Sequence, residues 1–149
     1  MRVVLQRVSE ARVEVGERVA GSIERGLVAL VGIARTDVRA DADYLADKTV
    51  CLRIFPDEEG KMNRSLLDIG GSMLVVSQFT LYGDVRKGRR PGFDRAAAPE
   101  LARNLYEYFI DSVRTRGVSV QSGVFQAEMA VHLVNDGPVT FILDSEKSV

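Results

Sequence analysis

Met73-Leu74-Val75-Val76-Ser77-Gln78-Phe79-Thr80-Leu81-Tyr82 is the stretch around which the rest of the chain is organised. Its apolar opening follows Gly70-Gly71 and is short and rich in valine. That composition predicts a buried strand over Met73 to Phe79. The same strand then presents Ser, Gln and Thr at its end. A buried polar group without a partner costs about 1–3 kcal/mol. These groups therefore either bond to neighbouring backbone as the strand ends, or meet a ligand there.

A second stretch has the same character. Met129-Ala130-Val131-His132-Leu133-Val134 leads into Asn135-Asp136-Gly137-Pro138 and on to Val139-Thr140-Phe141-Ile142-Leu143. The pattern predicts strand, turn, strand, because Gly before Pro is a turn signal. A Gly-Pro corner exposes its backbone carbonyls: glycine has no side chain to cover them, and proline has no N–H to pair.

Ser77-Gln78-Phe79-Thr80 and Asn135-Asp136-Gly137-Pro138-Val139-Thr140 together resemble the two signature motifs of the D-aminoacyl-tRNA deacylases, also called D-tyrosyl-tRNA deacylases. The resemblance extends over essentially the whole chain. It takes in Val3-Val4-Leu5-Gln6-Arg7-Val8, Leu52-Arg53-Ile54-Phe55, Met62-Asn63-Arg64-Ser65-Leu66, Lys87-Gly88-Arg89-Arg90-Pro91 and Gly123-Val124-Phe125. A related subfamily acts on L-alanine with altered motif residues. The intact Ser77-Gln78-Phe79-Thr80 argues for the D-specific branch.

Composition sets outer bounds. The chain has 149 residues, 46% apolar and 28% charged, with a net charge of −1. One α+β domain over residues 1–149 is expected. Near neutrality gives no global attraction to nucleic acid, so RNA binding requires a local patch. One cysteine, Cys51, and one histidine, His132, exclude a disulfide within the chain and make a zinc site implausible. The longest apolar run, Gly26 to Ala34, falls far short of the roughly 20 residues of a membrane helix. The chain opens on a strand-like pattern without a basic-then-apolar leader. A cytoplasmic protein with no membrane contact is expected.

In chain order, Met1 to Val8, Ala11 to Val15, Val19 to Ile23 and Leu27 to Ile33 read as strands of an antiparallel meander. Thr36-Asp37 offers an N-cap for a helix over Val38 to Cys51. Arg53 to Pro56 is a short strand, and Asn63 to Gly71 is irregular or holds a short strand. Pro99 opens a second helix with an apolar stripe of Leu101, Leu105, Tyr108, Phe109 and Val113, ended by Gly117. Strands Val118–Gln121, Ala127–Val134 and Val139–Leu143 follow, then a frayed tail from Ser145. The order predicts mostly antiparallel β-sheets with two main helices packed against them. The resemblance implies that the sheets are strongly curved and that the protein is a homodimer.

Several chemistries are disfavoured. A Ser-His-Asp triad would have to use His132, which sits in a strand pattern, and Ser77 lacks a nucleophile elbow. The acidic runs Asp57-Glu58-Glu59 and Asp41-Asp43-Asp47 read as solvated faces. No phosphate-cradling loop is present. What remains is a site of hydroxyls, amides and exposed backbone, able to orient an activated ester and a water.

The resemblance supplies the reaction: cofactor-free, metal-free hydrolysis of the ester between a D-amino acid and the terminal ribose of tRNA, a proofreading step of translation. It implies assistance from the 2′-hydroxyl of the RNA. Thr80 matches a position proposed as nucleophile in the family; no base beside it is visible in the sequence, which favours a positioning role. Ser77 and Gln78 complete the catalytic set, with the Gln78 amide a donor to the carbonyl oxygen or a sheet-edge bond. Gly137-Pro138 corresponds to a cis dipeptide that enters the partner subunit's pocket, bonds the substrate amino group and crowds an L side chain. Glycine lacks the side chain being excluded, so its removal from tRNA is implied. Met129 corresponds to a pocket wall or is a plain core residue. Phe79 is a stacking surface for the terminal adenine or a core residue, and Arg7 a support for Gly137-Pro138 or a surface ion pair. From Asp84 to Arg95 there are five Lys/Arg and two Asp. Arg86, Lys87, Arg89 and Arg90 of this loop are the expected contacts to tRNA phosphates. A non-catalytic RNA-binding module and a serine esterase using Ser77 and His132 are the competing readings.

Overall fold

The computed structural model describes residues 1–149. The first strand, β1 (Arg2–Val15), is one continuous element where the sequence suggested two. Its first half pairs antiparallel with β3 (Gly26–Gly32), and its second half with β2 (Arg18–Ile23). Its other edge carries β8 (Ala130–Asp144) along almost its whole length, also antiparallel. On the far side of β3, β6 (Ser72–Ser77) and β7 (Ser119–Ser122) join in parallel. The sheet is therefore mixed, with antiparallel pairing predominant, as expected for this α+β arrangement. The parallel pairs follow from the long crossovers, because parallel neighbours cannot be joined by a hairpin. One crossover contains α1 (Arg39–Cys51) and the other α3 (Pro99–Thr115). A small separate ribbon pairs β4 (Phe55–Pro56) with β5 (Met62–Arg64).

Curvature brings β2 back towards β7. A Cβ on Gly21 would lie 2.9 Å from the Ser122 carbonyl oxygen, so only glycine permits that approach. The curl gives β3 and β6 two buried faces. Leu27, Ala29, Val31, Met73 and Val75 pack with Leu45, Val50, Phe109 and Val113 of the helices. Val28, Leu74 and Val76 pack inside the curl with Val8, Ala11, Val13 and Ile23. Burial on both faces is why these strands read as unbroken apolar runs. Tyr106 adds a polar tie, its hydroxyl donating to the Val75 carbonyl at 3.0 Å.

Four local expectations need correction. Asp37 does not cap α1; Val38 occupies that position, its N–H donating to Asp41 Oδ2 at 2.8 Å. Asp37 is buried and accepts from the Met1 ammonium at 2.6 Å and the Ala34 N–H at 2.7 Å. The stretch Asn63 to Gly71 contains, besides β5, a short helix α2 (Leu66–Ile69) capped by Ser65. Asn135 to Pro138 is no hairpin turn: β8 runs through it, and shifts in register against β1 absorb the irregularity. The tail is pinned, with Ser145 N–H donating to the Met1 carbonyl at 2.9 Å and Arg95 pairing with Glu146 at 3.2 Å.

Candidate active site

The parallel ladder between β3 and β6 ends at Val31 and Ser77. One further bond, from Gln78 N–H to the Val31 carbonyl at 2.8 Å, carries the chain past the strand end. The backbone then closes into a 3-10 turn, Phe79–Tyr82, where the sequence predicted strand to Phe79. The Leu81 N–H closes that turn on the Gln78 carbonyl at 3.2 Å. A strand would have sent Ser77 and Phe79 to the same face and Thr80 to the other. Within the turn, the Gln78 side-chain amide donates to the Thr80 hydroxyl at 2.5 Å.

Ser77, Gln78 and Phe79 open onto a cleft of about 620 Å³. Its floor comes from Ile33 and Val76, and one wall from Ala97, Pro99 and Ala102 at the start of α3. Phe125 to Ala127 also line the cleft, with Met129 just before β8 and Val131 within it. Met129 lies close because residue 123 is glycine: a Cβ there would stand 2.6 Å from the Met129 sulfur. Gln126 adopts a left-handed conformation, φ 64°, within this lining. Thr80 is exposed and stands just outside the lining, joined to it through Gln78. No side chain lining the cleft is ionisable. Sequence reading missed Phe125 and the α3 residues. Only Gly123-Val124-Phe125, already part of the resemblance, pointed there.

Phe79 is 56% exposed, so it is not a core residue. Its ring meets that of Phe93 with centroids 5.0 Å apart.

Gly137 and Pro138 do not line the cleft of their own chain. They are exposed on β8, joined by a cis peptide bond, with Gly137 at φ 128°. Asn135 and Thr140 hold the flanks: Asn135 accepts from the Val139 N–H at 3.1 Å and donates to the Thr140 hydroxyl at 3.0 Å. Arg7 spans the base, donating to the Asp136 carbonyl at 3.1 Å and the Ile54 carbonyl at 2.8 Å. Arg7 also pairs with the Asp136 carboxylate at 3.7 Å, its own side chain largely covered and that of Asp136 exposed.

In the basic loop, Asp84 and Gly92 exchange backbone hydrogen bonds at 2.7 and 2.9 Å. The Arg86 guanidinium is engaged by Asp84 at 2.7 Å, and that contact holds the Asp84 carboxyl far below the usual range. Lys87, Arg89 and Arg90 are exposed and make no ion pair. The four basic residues are thus not equivalent.

His132 is not among the residues that line the cleft with Ser77, and its Nε2 stands 3.3 Å from Glu14 Oε2. Glu14 is itself held by Arg12 at 2.8 Å. In this geometry His132 is engaged by Glu14 and no hydrogen bond joins it to Ser77, which disfavours the serine-triad reading. No group of three or more His, Cys, Asp or Glu side chains is gathered as a metal site.

A family model described as D-Tyr-tRNA(Tyr) deacylase matches residues 4–144. A D-aminoacyl-tRNA deacylase of Koribacter versatilis is 59% identical over 147 residues, covering 99% of each chain. One from Symbiobacterium thermophilum is 60% identical over 148 residues, covering 99% of this chain and 98% of the relative. Among solved structures, a c-Myc DNA unwinding element binding protein superposes with a TM-score of 0.91 at 39% identity, over 97% of this chain and 98% of that one. A probable eukaryotic D-amino acid tRNA deacylase shares the fold with a TM-score of 0.82 at 22% identity, over 95% and 97% of the two chains. Matched by the family model over residues 4–144 and by relatives at about 59–60% identity over nearly their whole length, the chain belongs to the D-Tyr-tRNA(Tyr) deacylases.

Proposed function

We propose that this protein removes D-amino acids from tRNA, a proofreading hydrolase of translation formed by one domain of residues 1–149. One observation carries the mechanism: the cleft beside the family motif holds hydroxyl and amide groups but no ionisable side chain. Such a site cannot supply a strong base. It suits an ester that is already activated, where positioning and oxyanion stabilisation account for the acceleration. Water adds to the ester carbonyl, the bond to the ribose oxygen breaks, and the proton reaches that oxygen. A free D-amino acid and tRNA result.

Each site residue takes a part in this reaction. Ser77 and Gln78 face the ester, with Thr80 fixing the Gln78 amide. The backbone N–H groups of Phe79 and Thr80 begin the 3-10 turn without a partner in the protein and can donate to the oxyanion. Proton transfer falls to the water and to the ribose 2′-hydroxyl next to the ester, as the family resemblance implies. Phe125, Met129 and the opening of α3 take the terminal adenosine. No metal or cofactor enters.

Chiral selection requires a second copy of the chain. Gly137-Pro138 is too exposed to filter its own cleft, and β8 is a long edge strand with Val134, Phe141 and Ile142 exposed. An edge of this kind invites pairing. In the homodimer, Gly137-Pro138 enters the partner subunit's cleft, its carbonyls bind the substrate ammonium, and an L side chain is crowded out. Glycyl-tRNA escapes that filter in part. Lys87, Arg89 and Arg90, with a smaller share from Arg86, bind tRNA phosphates. No helix is long and apolar enough to cross a membrane, and a cytoplasmic site of action follows from the substrate.

Deacylation of D-Tyr-tRNA and L-Tyr-tRNA, side by side with chelator present, tests the reading. Loss of the D ester alone is expected. Loss of both esters would keep the hydrolase and remove the Gly137-Pro138 filter. Retained tRNA binding without turnover would replace the enzyme with a binding module.

A further inference from the structure

Phe93 has no part in the site described above, yet it is half-buried against it. Its ring packs on Phe79 at 5.0 Å with an interplanar angle of 56°. Both rings remain open to solvent, Phe79 by 56% and Phe93 by 37%. Phe79 lines the cleft and Phe93 does not, so the pair leads outward from the mouth. Phe93 is also held in place from below. A Cβ on Gly83 would lie 3.2 Å from its ring, so the glycine that ends the 3-10 turn makes its seat.

We propose that Phe93, with Phe79, is a stacking platform for the RNA base that precedes the terminal adenosine. The inference rests on the deacylase reading and adds a second nucleotide subsite to it. A strand leaving the cleft crosses Phe79 and meets Phe93 one ring further on. Immediately beyond are Asp84 and Gly92, which close the loop that carries Lys87, Arg89 and Arg90. Those three cations have no carboxylate partner. Exposed aromatic rings next to unpaired cations form a surface suited to single-stranded nucleic acid: rings stack on bases and cations follow the phosphates.

The test compares three D-tyrosyl esters: of adenosine, of the dinucleotide cytidylyl-adenosine, and of intact tRNA. In Phe93→Leu, KM for the dinucleotide and tRNA esters should rise roughly ten-fold relative to that for the adenosine ester. Phe93→Tyr should restore the wild-type ratio. Equal effects on all three esters, or none on any, would overturn the platform. A change in oligomeric state on gel filtration of Phe93→Leu would overturn it too, assigning the rings to contact between copies. Wild-type protein that hydrolyses none of the three would instead defeat the deacylase reading on which the platform rests.

Discussion

The Gln78 side-chain amide donates to the Thr80 hydroxyl across the first residues of the 3-10 turn, with Nε2 2.5 Å from Oγ1. Thr80 is the acceptor in this bond, and its hydroxyl proton is free to point elsewhere. The one hydrogen bond of the Thr80 hydroxyl is with Gln78, no carboxylate or imidazole accepts from it, and His132 is paired with Glu14. The relationship fits a group that positions Gln78 better than one that attacks the ester.

Thr80→Ser preserves the hydroxyl and should retain most deacylase activity. Thr80→Ala frees the Gln78 amide and should lower kcat about five- to ten-fold, the effect of losing one hydrogen bond of about 1 kcal/mol. Single-turnover hydrolysis of D-Tyr-tRNA measures this. A loss of several orders of magnitude in Thr80→Ala would restore the nucleophile role, and full activity would remove Thr80 from the mechanism.

Arg7 and Gly137 make a second close pair. A Cβ on Gly137 would stand 3.0 Å from the Arg7 guanidinium nitrogen and 2.7 Å from Val139 Cγ2, at a φ of 128° that L residues avoid. Gly137→Ala should therefore displace Arg7 and lower the melting temperature. It should also narrow the preference for D-Tyr-tRNA over L-Tyr-tRNA, as the proposed Gly137-Pro138 filter requires. Unaltered selectivity in a folded Gly137→Ala protein would mean that chirality is read elsewhere.

Much of this was legible in the sequence, for physical reasons that differ from element to element. Leu27 to Ile33 and Met73 to Val76 announced themselves because the curled sheet buries both their faces. The motif residues Ser77 and Gln78 were found at the strand end, where polar groups interrupt an apolar run. The 3-10 turn that follows was not, since Phe79 to Tyr82 has no glycine or proline to mark it. Gly137-Pro138 looked like a hairpin turn; only the pairing partner β1, distant in sequence, keeps β8 extended through it. Asp37 had the residue type of a helix cap, but the Met1 ammonium and Ala34 N–H compete for its carboxylate. Phe125 reaches the cleft through a loop whose path no local pattern specifies.

Asp43 joins the two main helices. Its carboxylate accepts from the Ser112 hydroxyl at 2.8 Å and the Tyr108 hydroxyl at 2.9 Å. The Ser112 bond is the main reason its carboxyl sits below the usual range, with Tyr108 and Arg116 assisting against partial desolvation. A depressed folded-state value means that the carboxylate is favoured by folding. The contribution is complete above the ordinary aspartate range, near pH 4, and is lost as the pH falls through the lower folded value. Asp43→Asn should cost about 1–2 kcal/mol at neutral pH. Its difference from wild type should shrink on acidification, as read by denaturant melts between pH 7 and pH 2.5. A difference that does not vary with pH would assign the effect to packing.

His132 provides a clean negative. Its imidazole contacts Glu14 on the side of β8 away from the cleft, within a network that includes Arg12. His132→Ala should leave kcat for D-Tyr-tRNA within about two-fold of wild type, because surface substitutions away from a site have small effects. Simple esters should not become substrates. Inactivation in His132→Ala would revive the serine-esterase reading.

The loop cations predict a graded salt response. Each phosphate neutralised by a protein cation contributes a slope of about −0.7 to −0.9 in log K against log salt. Arg89 and Arg90 have no carboxylate partner, whereas Arg86 is tied to Asp84 by both its side chain and its backbone N–H. Replacing Arg89 and Arg90 together by Gln should therefore flatten the slope by about 1.4–1.8. Arg86→Gln should change it less, because the cation it removes is already balanced locally. Filter binding of deacylated tRNA from 50 to 300 mM salt separates these cases. Equal slopes for the double variant and wild type would move the phosphate contacts off this loop. An Arg86→Gln effect as large as the double substitution would show that Asp84 releases Arg86 when RNA binds.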